Sequence, residues 1–338
     1  MSQDEQPHLD PLRGFLNRVL VVAAVAAAAL LVWTVRDTLL LTFAGVIAAT
    51  VLLNVAGPLK RRTGLPHRAA VGVAAVLLIA GVSLIVWFVA PNLLDQASQL
   101  ATDLPAAAQE IEQGISDRIP IESMVSGAGI VETLAGRITS WSLALAGAAT
   151  AFVLVVVAGI FLAAAPGMYR DGLVALFPRK RQEDIRRGLT CAGEGLSAWL
   201  RGQLVAMTVV GVCVGVGTWA IGLPTPLALG LIAGLLEFVP IVGPILGAVP
   251  AMILALTMSP AMALWTALLY LGIEQVESNF ILPMVERSVA DVPPAVFLLA
   301  LVAIGTLFGV IGVILSAPLT VTIYVLVREF YVKPRQTG

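Results

Sequence analysis

Glu274 and Glu277 stand three residues apart in Ile273-Glu274-Gln275-Val276-Glu277-Ser278-Asn279, the polar end of an apolar run that begins at Ala261 and closes at Pro283. On a helix that spacing brings both carboxylates to one side. A charged side chain at the centre of a bilayer costs roughly 2.5–3.5 kcal/mol, so these groups must face protein, water or a ligand. Two carboxyls in one poorly solvated site hold a proton between them and can release it, which is the chemistry of proton coupling. The same oxygens, with Gln275, Asn279 and backbone carbonyls freed at a helix break, also suit a hard cation such as sodium. They equally suit the hydroxyls of a small polar organic molecule. A structural use is open too, with Glu277 or Asn279 capping the helix end before Pro283. Glu237, three residues before Pro240, has three readings: a cap, a subunit contact or a ligand.

Two long apolar segments must position these groups. Thr225–Ser259 carries a single charge, Glu237, and as one straight helix it would measure about 50 Å, too long for an untilted crossing. Pro240, Pro244 and Pro250, with Gly243 and Gly247, predict breaks within it. Ala295–Val327 is uncharged and punctuated by Gly305, Gly309, Gly312 and Pro318. Broken backbone is tolerated at membrane depth only where it packs against protein or lines a cavity, and transporters place their sites there. These glycines and prolines therefore serve geometry rather than chemistry. Gly243–Pro250 can also be laid over Ile311–Pro318, a weak hint of an internal repeat.

Composition fixes the class. Of 338 residues, 59% are hydrophobic and 12% charged, half the charged share usual in soluble domains. The expectation is an all-α, polytopic membrane protein of about eight membrane segments, two of them the broken ones, either re-entrant or crossing. Residues 1–18 form a polar tail. Residues 19–90 hold three membrane helices, the first two (Val19–Val35 and Thr38–Ala56) expected as a helical hairpin turning at Arg36-Asp37. Lys60, Arg61, Arg62 and Arg68 then mark the next loop, and with it the amino terminus, as cytoplasmic.

Residues 91–140 are rich in acids and read as an external helical insert, with Leu93, Ala97, Leu100 and Leu104 at helical spacing. Residues 141–165 return as a fourth membrane helix. Residues 166–202 are basic, and Ile185, Leu189, Ala192, Leu196 and Trp199 predict an amphipathic helix along the inner face. Residues 203–327 form the transport core, with broken segments 225–259 and 295–327, and 328–338 is a basic tail expected inside. Parity then links the two broken segments. As hairpins they leave Ala261–Leu282 as the one crossing and put Glu286, Arg287 and Ser288 in the cytoplasm; as single crossings they put those residues outside.

Other chemistries lack their residues. There is no phosphate-binding glycine loop, no His/Cys metal pattern and no nucleophile with a His partner, so the chain reads as no enzyme and as needing no cofactor. A net charge of −1 gives no footprint for nucleic acid. Cys191 and Cys213 fall on the cytoplasmic or membrane side and predict no structural disulfide.

Trp199-Leu200-Arg201-Gly202-Gln203, Gly222-Leu223-Pro224, Phe238 to Pro244, Gln275 to Asn279 leading to Pro283, Leu307-Phe308-Gly309 and Ala317-Pro318-Leu319 together resemble the autoinducer-2 exporter (AI-2E) family of bacterial membrane proteins. The resemblance runs over nearly the whole chain; the order and spacing of the motifs carry it. It departs from the family pattern at Ala303-Ile304-Gly305, where paired glycines are expected, and at the added acids Glu274 and Asp291. The resemblance implies a permease in the bacterial inner membrane, exporting a small polar organic molecule of the autoinducer-2 kind. Sodium/proton exchange is the alternative it carries. A non-transporting scaffold is the third reading, and it would need no buried acids at broken helices. The lipid bilayer is the expected surrounding, and a homo-oligomer the expected assembly.

Overall fold

The computed structural model describes residues 11–88, 147, 149–281 and 292–332. These are helical, with no strand among the described residues. In chain order the helices are α1 (Pro11–Thr63), α2 (His67–Phe88), α3 (Ala149–Ala164), α4 (Pro166–Ala175), α5 (Arg179–Ala220), α6 (Pro226–Leu236), α7 (Val242–Met258), α8 (Pro260–Val276) and α9 (Pro294–Val327). Among the described residues four helices are long and apolar enough to cross a membrane; five are, if α3 and α4, bent by 87°, count as one span. Leucines, valines and tryptophans such as Val76, Trp219, Trp265, Leu299 and Val310 point outward, as lipid contact requires. The chain is a multi-pass membrane protein.

The amino-terminal hairpin expected from the sequence is absent. Its two apolar runs form one continuous helix, α1, of 53 residues or about 80 Å. The reason is local: no Gly or Pro stands at Arg36-Asp37 to break the helix, and Arg36 lies over the Trp33 ring at 4.2 Å and pairs with Asp37 at 3.7 Å. Pro11 and Thr63 thus lie at opposite ends of α1, so no turn brings the amino terminus back beside Lys60–Arg62. A second correction concerns the basic amphipathic stretch. It does not lie apart as its own helix, because α5 runs without a break through Gly202 and carries one buried stripe (Leu196, Trp199, Gln203, Val210, Val214) from end to end.

Small residues let the helices meet closely. α1, α2 and α3 share a core of Ala49, Leu52, Ala56, Ala70, Val71, Ala74 and Ala163. A Cβ at Gly159 would stand 2.7 Å from that of Ala48. α5, α6, α7 and α8 form a second core around Val210, Val214, Leu229, Ala233, Ala251 and Ala255. A third joins α1, α5 and α9 through Leu40, Ile47, Leu196, Trp199, Leu200, Leu315 and Val321.

Both broken segments fold back on themselves. α6 and α7 turn about residues 237–241, so that Gly247 faces the Ala233 Cα and a Cβ on Gly243 would collide with the Leu236 carbonyl. In α9 the backbone leaves helical geometry at Gly309 (φ 64, ψ −146). Across it a Cβ on Gly312 would collide with the Ile304 carbonyl, and one on Gly305 would lie 2.9 Å from Val313. In an unbroken helix, residues eight apart lie about 12 Å from each other along the axis. Only the glycine positions allow such approach, and Gly309 alone of these needs a positive φ.

The prolines act less than expected. Pro240 lies in the first turn, but Pro244 sits in the opening turn of α7, where its missing N–H has no intrahelical partner to lose. Pro250 and Pro318 are inside α7 and α9, which continue through them. Pro283 lies outside the described residues, as do the 91–140 insert and Glu286, Arg287 and Ser288.

Candidate functional site

Three carboxylates from two elements line one small cavity. Glu237 comes from the α6–α7 turn and Glu274 and Glu277 from the end of α8. On α8 the inward positions are Ala263, Thr266, Tyr270, Ile273 and Glu277, three or four apart on one face, and Glu274, itself exposed, borders the cavity. Past Val276 the helix widens into a π-turn, Glu277–Ile281; such turns concentrate at functional positions. Val210 and Val214 of α5, Ala233 of α6 and Pro244 of α7 close the remaining walls.

Glu237 is 1% exposed. It shares the cavity with Glu277 and Glu274. Its second oxygen, Oε2, is buried without a partner among the described residues. The cavity has a volume of about 20 Å³, which is room for one water-sized occupant.

The backbone around Glu237 is held by side chains from α5 and α8. Gln203, itself 6% exposed, donates from Nε2 to the Glu237 carbonyl at 2.5 Å. The Tyr270 hydroxyl donates to the Gly247 carbonyl at 3.1 Å. Trp199 meets Phe238 edge to face, with ring centroids 5.9 Å apart. None of these was singled out by the spacing of charges. Tyr270 was legible all the same, since it lies four residues before Glu274 and seven before Glu277, on the same helical face. Gln203 had a weaker signal, one amide on a stripe of otherwise apolar residues.

Of the five expected pathway residues the structure brings together Glu237, Glu274 and Glu277. Gln275 and Asn279 face away. Both are exposed, and Asn279 donates from Nδ2 to the Gln275 carbonyl at 2.7 Å. The physical reason is the helix itself, since positions 275 and 279 lie one turn apart on a face rotated away from 274 and 277. Asn279→Ala is therefore expected to leave transport within about twofold of wild type in a vesicle flux assay, as for surface sites outside a binding network.

A larger concavity, about 680 Å³, runs between α5, α6 and Ile85 of α2. Leu204, Thr208, Trp219, Leu227 and glycines line it, and among the described residues none of its lining is ionisable. Among the described residues no group of His, Cys, Asp and Glu is arranged to hold a metal ion.

The sequence profile of the AI-2E family transporters matches residues 20–331. YrrI of Bacillus subtilis (strain 168) is 36% identical over 137 residues, 40% of this chain and 39% of its own length. YueF of the same organism is 27% identical over 248 residues, 71% of this chain and 66% of its own. MT0215 of Mycobacterium tuberculosis (strain CDC 1551 / Oshkosh) is 26% identical over 274 residues, 75% of this chain and 73% of its own. All three carry the name transport protein. The chain thus spans about two fifths of YrrI and just under two thirds of YueF. With the profile covering nearly all of its length, the chain belongs to the AI-2E transporter family.

Proposed function

We propose that this transporter is an ion-coupled permease in which Glu237 and Glu277 carry the coupling proton. One observation carries the reading: a fully buried carboxyl, with one oxygen unpartnered, lines with a second carboxyl a cavity the size of one water. A stability role alone would favour apolar residues there, because burying an acid without partners on both oxygens is unfavourable.

The cargo expected from the family is a small polar organic molecule of the autoinducer-2 kind, moved outward across the bacterial inner membrane. Cation/proton exchange is the second reading, and the cavity favours it. A space of about 20 Å³ admits a proton, a water or a bare cation, and an organic cargo would have to bind elsewhere or open the site.

Proton movement in energised inside-out vesicles containing the protein, on addition of sodium and then potassium, tests the coupling. A sodium-dependent collapse of the pH gradient makes exchange the primary activity. No response to either ion moves the weight to the organic cargo, and labelled autoinducer-2 is the next substrate to load.

In the membrane the two fold-backs serve as re-entrant hairpins entering from opposite faces. α6–α7 starts and ends at the external side and the halves of α9 at the cytoplasmic side, with the carboxyl terminus inside. Phe238 of the first turn and Phe308 beside Gly309 pack against one core, which Phe297 near the start of α9 also joins. A single cysteine at position 288, with Cys191 and Cys213 replaced by Ser, is expected to react with an impermeant maleimide only from the cytoplasmic side. Labelling only from outside would mean that both segments cross.

A further inference from the structure

Ile241, at the point where the chain turns from α6 into α7, has a left-handed backbone (φ 73), one of two such non-glycine residues among the described ones. A β-branched residue is strained there, and such conformations persist only where their surroundings over-determine them. Two backbone bonds close the turn, from the Val242 N–H to the Pro240 carbonyl at 2.9 Å and from the Gly243 N–H to the Val239 carbonyl at 2.7 Å, and residues of α5 add to them. Gln203 holds the Glu237 carbonyl, and one helical turn earlier Trp199 holds the Phe238 ring. Both are buried, and both sit on one unbroken helix, so they move as one body.

The Glu237 side chain shares its cavity with side chains of α8. Oε2 has no partner among the described residues, and the described ionisable groups around the carboxyl are Glu277, Glu274 and Tyr270, all from α8 or the π-turn that ends it. α5 presents Gln203, Val210 and Val214, α6 presents Ala233 and α7 presents Pro244, none of which titrates. Where the carboxyl points is therefore decided by where the turn's backbone is held.

We propose that Gln203 is a positioning residue whose hydrogen bond to the Glu237 carbonyl locks the strained 237–241 turn, aiming the Glu237 carboxyl at Glu277. The inference rests on the proton-carrying reading of that pair and deepens it. Without the amide donor the turn relaxes, Ile241 leaves the left-handed region, and Glu237 swings away from its partner.

The test compares Gln203→Met, close to isosteric but without the N–H, with Ile241→Gly, which removes the strain, and with the two combined. Each protein is reconstituted and its proton movement followed as a function of pH. Gln203→Met is expected to lower the rate about tenfold and to move the pH of half-maximal movement by about half a unit. Ile241→Gly alone stays near wild type. The double variant recovers to within about threefold of wild type, because an unstrained turn no longer needs the clamp.

Gln203→Asn, which keeps the amide but shortens its reach, shows the same pH shift with a smaller loss, and serves if the Met variant does not accumulate. A wild-type rate and pH profile in the Met or the Asn variant would overturn the proposal. So would a double variant no better than Gln203→Met. Glu237→Gln separates the two levels: if it moves protons normally the site reading itself fails, and if it is inactive while Gln203→Met is normal only the clamp fails.

Discussion

Glu237→Gln is expected to reduce proton movement in energised inside-out vesicles to the rate of vesicles without the protein, while the variant reaches the membrane at wild-type levels. Gln keeps the volume of Glu and can still meet the Glu277 carboxyl, so the packing at the α6–α7 turn survives. It cannot bind and release a proton. The carboxyl is 1% exposed and shares its cavity with Glu277, whereas Glu274 at the same cavity is exposed and does not take the buried position. Glu277→Gln should follow the same course, since a pair that shares a proton acts as one titrating unit. Wild-type proton movement in Glu237→Gln would remove the pair from the coupling path. If sodium or organic cargo transport also stayed intact, the buried acids would be structural and the scaffold reading would return.

Gly243→Ala carries the second large effect, on the fold itself. A single added methyl at this position meets the Leu236 carbonyl and the Glu237 Cα, both backbone atoms that cannot rotate aside. The fold-back must open to admit it. A loss on the order of 2–4 kcal/mol is expected, in the range of over-packing at a site with no slack. It is read as a lowered unfolding midpoint of the detergent-solubilised protein. Gly272→Ala is the matched control, because a Cβ there meets nothing within 4 Å. In a helix that change is neutral or gains up to about 1 kcal/mol from propensity. Equal midpoints for the two variants would show that α6 and α7 do not approach as closely as the fold-back requires.

Membrane class, helical content and the acid-bearing end of α8 were legible in the sequence, because each depends on composition or on a period of three to four residues. The breaks at Pro240 and Gly309 were legible as well, since a run too long for one crossing must bend where Gly and Pro allow it. Which proline or glycine bends it was not. Pro250 and Pro318 sit inside continuous helices, and Gly309 turns the chain through a positive φ that its neighbours cannot adopt. The amino-terminal hairpin was misread for the converse reason. A charged Arg36-Asp37 pair looks like a boundary in hydropathy, yet with no Gly or Pro there the helix continues, and Trp33 covers the arginine.

By itself the sequence determined that carboxylates would stand inside an apolar bundle near broken helices, because their cost in lipid forces them inward. Only the tertiary structure decided which of them meet. Glu237 lies 37 residues before Glu274 and 40 before Glu277, and no local period relates it to α8. It reaches them because α6 and α7 fold back and α8 packs alongside. The same packing turned Gln275 and Asn279 outward and placed Gln203, which carries no charge to draw attention to it, against the turn that holds Glu237. Long-range packing sets such pairings, and hydropathy, which reads one residue against its neighbours, has no term for them.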